Sequence, residues 1–136
     1  MQDKPTSIEL LEALAVFLRD EVAPRLEGGM RFKALVGANV AGIVAREIAV
    51  GPGQDRAQLG RLTALLGDRA LGDRALDGPG DGSGEDVAAR VRELSFELCR
   101  HIDEGDADDG PWREAVLEHL RACVAEKLAV DNPKRK

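Results

Sequence analysis

Apolar side chains recur three and four positions apart along nearly the whole chain, and no segment alternates with the two-residue period of a half-buried strand. That periodicity confines the chain to an all-α fold, because each helix carries an apolar stripe that another helix must cover. The spacing predicts a first helix from Ser7 to Val22, opened by a Thr6–Glu9 capping box and bent or ended by Pro24. Ile8, Leu11, Leu14, Leu18 and Val22 form its stripe, and Leu10 and Phe17 widen it. A second helix runs from Met30 to Val50, with Phe32, Leu35, Val36, Val40, Ile43 and Val44 as its core face. Gly37 with Ala41, and Ala38 with Gly42, are small residues four apart that let a neighbouring helix come close. Gly51-Pro52-Gly53 is expected to stop this helix.

A short third helix is expected over Asp55–Leu66, a fourth over Glu85–Ile102 with Ser83 and Asp86 at its cap, and a fifth over Pro111–Val130. The fourth buries Val87, Val91, Leu94, Leu98 and Ile102. The fifth buries Trp112, Val116, Leu120, Cys123, Val124 and Leu128. The expected architecture is an all-α helical bundle of four long helices plus one short helix, a single domain over 1–136. Residues 67–84, where GDRAL occurs twice in tandem, read as a mobile Gly/Asp-rich surface loop, and 131–136 as a frayed basic tail.

Charge and composition narrow the function. A net charge of −6 and few aromatic residues argue against nucleic-acid binding, which needs a basic face or stacking platforms. The most apolar run, Ala34 to Ala45, is too short to span a bilayer, and the N-terminal stretch carries acids through its apolar part. A cytoplasmic protein that contacts neither nucleic acid nor membrane is the expectation. Cys99 and Cys123 then read as small buried hydrophobes.

The chain offers no recognisable catalytic set, metal site or cofactor site. The acid-rich stretch HIDEGDADDGPW, residues 101–112, fails as a calcium loop. With Gly110 as the turn glycine, the ligand positions fall on Gly105, Ala107 and Val116, none of which can ligate through a side chain. The stretch reads instead as a helix end at Ile102, a turn at Gly105, and a new helix capped by Asp109 or Gly110 with Pro111 in its first turn. His101 and His119 lack the Glu-x-x-His and Cys/His spacings of metal-binding helices, and read as flanking surface or interface residues.

One polar constellation stands out. Asn39 and Glu47 lie on the apolar stripe of the second helix, and Lys127 on that of the fifth. Glu47 and Lys127 are expected either to pair across the bundle, with Asn39 and Arg46 satisfying the remaining polar atoms, to reach water from helix ends, or to line a ligand pocket.

PTSIELLEAL near the start, Arg31-Phe32, Val36 to Asn39, Val44 to Glu47, and HLR…KLA…NP between His119 and Pro133 together resemble a bacterial family of short helical proteins of unknown function. The family's members tend to be encoded beside aminoglycoside-phosphotransferase-like kinases and acyl-CoA dehydrogenases. A histidine would be expected after the phenylalanine, where this chain has Lys33. The resemblance implies a non-catalytic accessory or protein-interaction domain, partner of such a kinase or dehydrogenase. A helical bundle that binds an acyl chain or acyl-CoA is the alternative. The wide stripe of the first helix also makes a homodimer an expectation.

Overall fold

The computed structural model describes residues 4–67 and 84–133; Ser83 and the doubled GDRAL beyond Gly67 lie outside them. The described residues are helical with no strand, so the chain is all-α, consistent with a helical bundle. In chain order the helices are α1 (Ser7–Val16), a π-helical segment (Phe17–Val22), a 3-10 turn (Ala23–Arg25), α2 (Gly28–Leu66), α3 (Gly84–Asp103) and α4 (Gly110–Asp131).

The N-terminal box forms as the sequence predicts. Thr6 Oγ1 accepts from the Glu9 amide at 3.2 Å, and Glu9 accepts from the Thr6 amide at 2.7 Å. The Thr6 amide, and then the Thr6 hydroxyl, hold the Glu9 carboxyl below its ordinary range. The run keeps its expected bounds and changes form ahead of Pro24. The helix widens first, the Ala23 amide reaching back to the Leu18 carbonyl, and Pro24 falls within the 3-10 turn. A widened turn ahead of a proline relieves the ring's clash with the preceding carbonyls.

The larger departure is α2. The expected second helix, the glycine–proline stop and the short third helix are one continuous helix of 39 residues with Pro52 inside it. Proline in a helix interior removes one hydrogen bond and costs about 3 kcal/mol, which long helical stretches on both sides can outweigh. The stop signal surfaces in another way. The chain divides into two compact units, and the boundary falls between Gly51 and Pro52.

Among the described residues, unit 1 holds 4–51 and 130–133, and unit 2 holds 52–67 and 84–129. In unit 1 the buried side chains are small: Ala15, Ala23, Ala38, Ala41 and Ala45, with Val130. Leu18 lies against Gly37, where an added Cβ would stand 3.5 Å from its Cδ1. Unit 2 has a conventional core in which Leu62, Leu66, Val91, Leu94, Leu98 and Val116 cluster, with Leu59, Ile102 and Trp112 packed on it.

α3 ends as the turn reading predicts. Gly105 takes a left-handed φ of 86°, its amide donates to the Ile102 carbonyl, and the Asp106 amide donates to the His101 carbonyl, both at 3.0 Å. This pair of bonds satisfies the orphan carbonyls of the last turn and needs a residue free of a Cβ at the reversal. α2 is also long and apolar enough to cross a membrane by length and composition, a test that core helices of soluble proteins pass as well.

Candidate functional site

The most polar interior lies in unit 2, where the second half of α2 meets α4. Arg61 Nη2 donates to Glu126 Oε2 at 2.7 Å, and Gln54 donates to the Glu126 carbonyl at 3.4 Å. The Glu126 hydrogen bond outweighs burial and raises the Arg61 pKa further. Beside them His119 is buried, with Nε2 3.5 Å from Cys123 Sγ. His119 Nδ1 and Arg61 Nε are buried with no hydrogen-bond partner among the described residues.

A cysteine beside a histidine invites a nucleophilic reading, but the electrostatics oppose it. Burial, and then the Arg61 charge, lower the His119 pKa, with only Glu126 acting the other way. The imidazole is therefore held neutral and does not supply the imidazolium of a Cys–His ion pair. The cluster ties α4 to α2 within unit 2 and does not assemble an acid–base pair.

A second cluster closes α3. His101 Nδ1 lies 2.6 Å from Asp106 Oδ2, and the imidazole meets the Trp112 ring edge-on at 5.8 Å. His101, Glu104 and Asp106 bring potential ligand atoms within 4.8 Å of one another, close enough for a metal ion. Arg100 already engages both Glu104 oxygens, at 2.8 and 2.9 Å, and Glu97 at 2.6 Å. An arginine inside the acid set neutralises the charge that a cation would need, so the arrangement serves as a helix-end network. Those bonds hold the Glu97 carboxyl below its ordinary range, Arg100 being the first cause.

Both histidines correct the sequence reading, which placed them at the surface. Each sits on a helix's buried line: His101 three residues after Leu98, and His119 three after Val116. That spacing was visible in the sequence; the structure adds the Asp106 carboxylate on His101 and the Cys123 thiol beside His119. Both cysteines are free, and their reading as buried hydrophobes is corrected in burial alone, since Cys99 is exposed and Cys123 half-buried.

The expected inward cluster is not inward. Asn39 and Glu47 are exposed on α2, and Lys127 is exposed on α4. Glu47 belongs to unit 1 and Lys127 to unit 2. Arg46 alone of the four is half-buried, and it donates from Nε to the Val130 carbonyl at 2.7 Å, in the last turn of α4. An arginine on a C-terminal carbonyl satisfies an acceptor that the helix itself leaves open.

The reason Asn39 and Glu47 face out is that α2 is turned over relative to expectation. Its alanine line is buried, and the stripe of large side chains faces solvent: Phe32, Leu35, Val36, Val40 and Val44 are all exposed. The first helical run likewise exposes Leu10, Leu14 and Phe17. Soluble monomers seldom turn such faces to water without a use for them.

No curated protein and no solved structure matches the chain. A family model does, described as a domain of unknown function, DUF6285, and it covers residues 24–135. That stretch takes in α2, α3 and α4 with both polar clusters, and the chain belongs to the DUF6285 family.

Proposed function

We propose that this chain is a non-catalytic accessory domain that works by binding other proteins. The observation that carries the reading is the outward apolar line of its first helical run. Leu10, Leu14 and Phe17 follow one another at four and three residues, and each is roughly half exposed. Large side chains in that spacing form the face an amphipathic helix lays into a hydrophobic groove. The partner we propose is the phosphotransferase-like kinase or the acyl-CoA dehydrogenase implied by the resemblance to bacterial proteins encoded beside them, met in the cytoplasm.

The test is direct binding of the purified full chain to an enzyme of each of these two kinds, with Leu14→Asp as the interface variant. Stoichiometric co-elution with one enzyme, lost in Leu14→Asp while circular dichroism is unchanged, is the expected result. Failure of the wild-type chain to bind either enzyme at tens of micromolar, roughly the weak end of transient complexes, would remove these partners.

A further inference from the structure

We propose that a second copy of this chain covers the outward face of α2, in an antiparallel pairing about a two-fold axis at Val40. The inference rests on reading outward apolar faces as protein-binding surfaces, and it names the occupant of the face on α2.

The order of residues along that face carries the argument. Lys33, Val40 and Glu47 are spaced by seven, two turns apart each way, so they fall on one line. Val36 and Val44 flank Val40 at four residues on either side, and Phe32 and Ile48 at eight. Met30 and Val50 close the pattern at ten. All of these residues are exposed. These positions therefore read the same from either end, except that the two charges have opposite signs; exposed Leu35, whose counterpart is the buried Ala45, lies outside the pattern.

A two-fold interface asks for that pattern, because each residue before Val40 comes level with the residue equally far after it in the partner copy. Val36 then comes level with Val44 and Val40 meets itself, while at the edges, turned about 80° from Val40, Phe32 lies beside Val50 and Met30 beside Ile48. Lys33 of each copy meets Glu47 of the other, giving two ion pairs at the ends of an apolar seam. Neither Lys33 nor Glu47 takes part in an ion pair within unit 1 among the described residues, so both are available. In one copy the two charges lie roughly 20 Å apart along the helix, too far to pair with each other.

The size of the face also fits. Phe32 is 68% exposed and Val40 52%, and with the other apolar members of the pattern they leave on the order of 600 Å² open, near the roughly 800 Å² per partner of a stable interface. A lipid surface is the less suitable occupant. It favours a basic polar rim around an apolar face, whereas here a carboxylate stands on the same line as the lysine. An unrelated protein would give no reason for symmetry about Val40.

The experiment uses the full chain carrying Cys99→Ser and Cys123→Ala, with single cysteines added. Light scattering at micromolar concentration is expected to give twice the chain mass. Lys33→Glu or Glu47→Lys alone should weaken the dimer about tenfold or more, because each places like charges together twice, and the double reversal should restore it to within about threefold. Val40→Cys should form a disulfide between copies under mild oxidation. Lys33→Cys should not, since its symmetry mate would lie about 20 Å away in the antiparallel register.

A monomer mass at about 100 µM overturns the proposal. So does cross-linking of Lys33→Cys as readily as Val40→Cys, which marks a parallel pairing, or a double reversal that restores nothing. A monomer that floats with vesicles of phosphatidylglycerol and phosphatidylcholine also overturns it and assigns the face to lipid. A monomer that still binds the kinase or dehydrogenase through Leu14 loses this inference alone and leaves the interaction reading standing.

Discussion

Arg61 and Glu126 meet at 2.7 Å with their side chains 30% and 25% exposed, in a position neither fully wet nor fully dry. Exposed pairs contribute up to about 1 kcal/mol, and breaking a buried one costs about 3–5 kcal/mol. Glu126→Gln should therefore lower unfolding free energy by about 1–2 kcal/mol, since Arg61 Nε already lacks a partner and the guanidinium would be stranded further. Urea denaturation measures this, and a loss under about 0.5 kcal/mol would show that the pair is effectively solvated.

Trp112 Nε1 donates to the Leu65 carbonyl at 3.0 Å, in the final turn of α2 where the helix supplies no acceptor's partner of its own. Trp112→Phe keeps most of the ring and strands a part-buried carbonyl. A loss of about 1 kcal/mol is expected, against about 3–5 kcal/mol for Trp112→Ala. Equal losses in the two variants would mean that the hydrogen bond, and not the packing of the ring, dominates at this position.

Pro52 lies inside α2 with helix on both sides. Pro52→Ala restores a donor for the Ile48 carbonyl and removes the ring's clash, so stability should rise by about 1–3 kcal/mol. Thermal melts followed by circular dichroism would record it. If residues 51–53 instead form a turn in solution, alanine would leave the melt unchanged or lower it.

His119 supplies a pH dependence. Burial, with the Arg61 charge behind it, lowers its pKa below the ordinary 6.5. In the unfolded chain the imidazole takes up a proton near pH 6.5, whereas in the folded chain it resists protonation to lower pH. Stability is then fully present above about pH 6.5 and falls as the pH drops through the window between the two values. His119→Gln should flatten that part of the profile. Urea midpoints taken between about pH 5 and about pH 8 would decide it, and parallel wild-type and variant curves would count against a buried neutral imidazole.

Several features of this chain were legible before any tertiary structure. Thr6 and Glu9 form their box because both halves are local, three residues apart. Gly105 reverses the chain because only a left-handed residue can close the last turn of α3. The stripe of α3 buries as its spacing predicts, whereas on α4 Val116 is buried but Leu120, Val124 and Leu128 of the expected line are exposed. The candidate polar cluster was less legible. Asn39 and Glu47 were correctly placed on the large apolar stripe of α2, but that stripe faces solvent.

The sequence by itself determined that this chain is all-α and where most of its helices begin and end, because capping, turn conformation and periodicity are set by neighbours within a few residues. Only the tertiary structure decided which side of α2 is covered and whether the helix passes Pro52. Two lines on α2 were eligible for burial, one of alanines and one of large side chains, and spacing cannot rank them. The alanine line buries because small side chains let helices approach closely, as Leu18 does at Gly37, and the bulkier line is left facing outward.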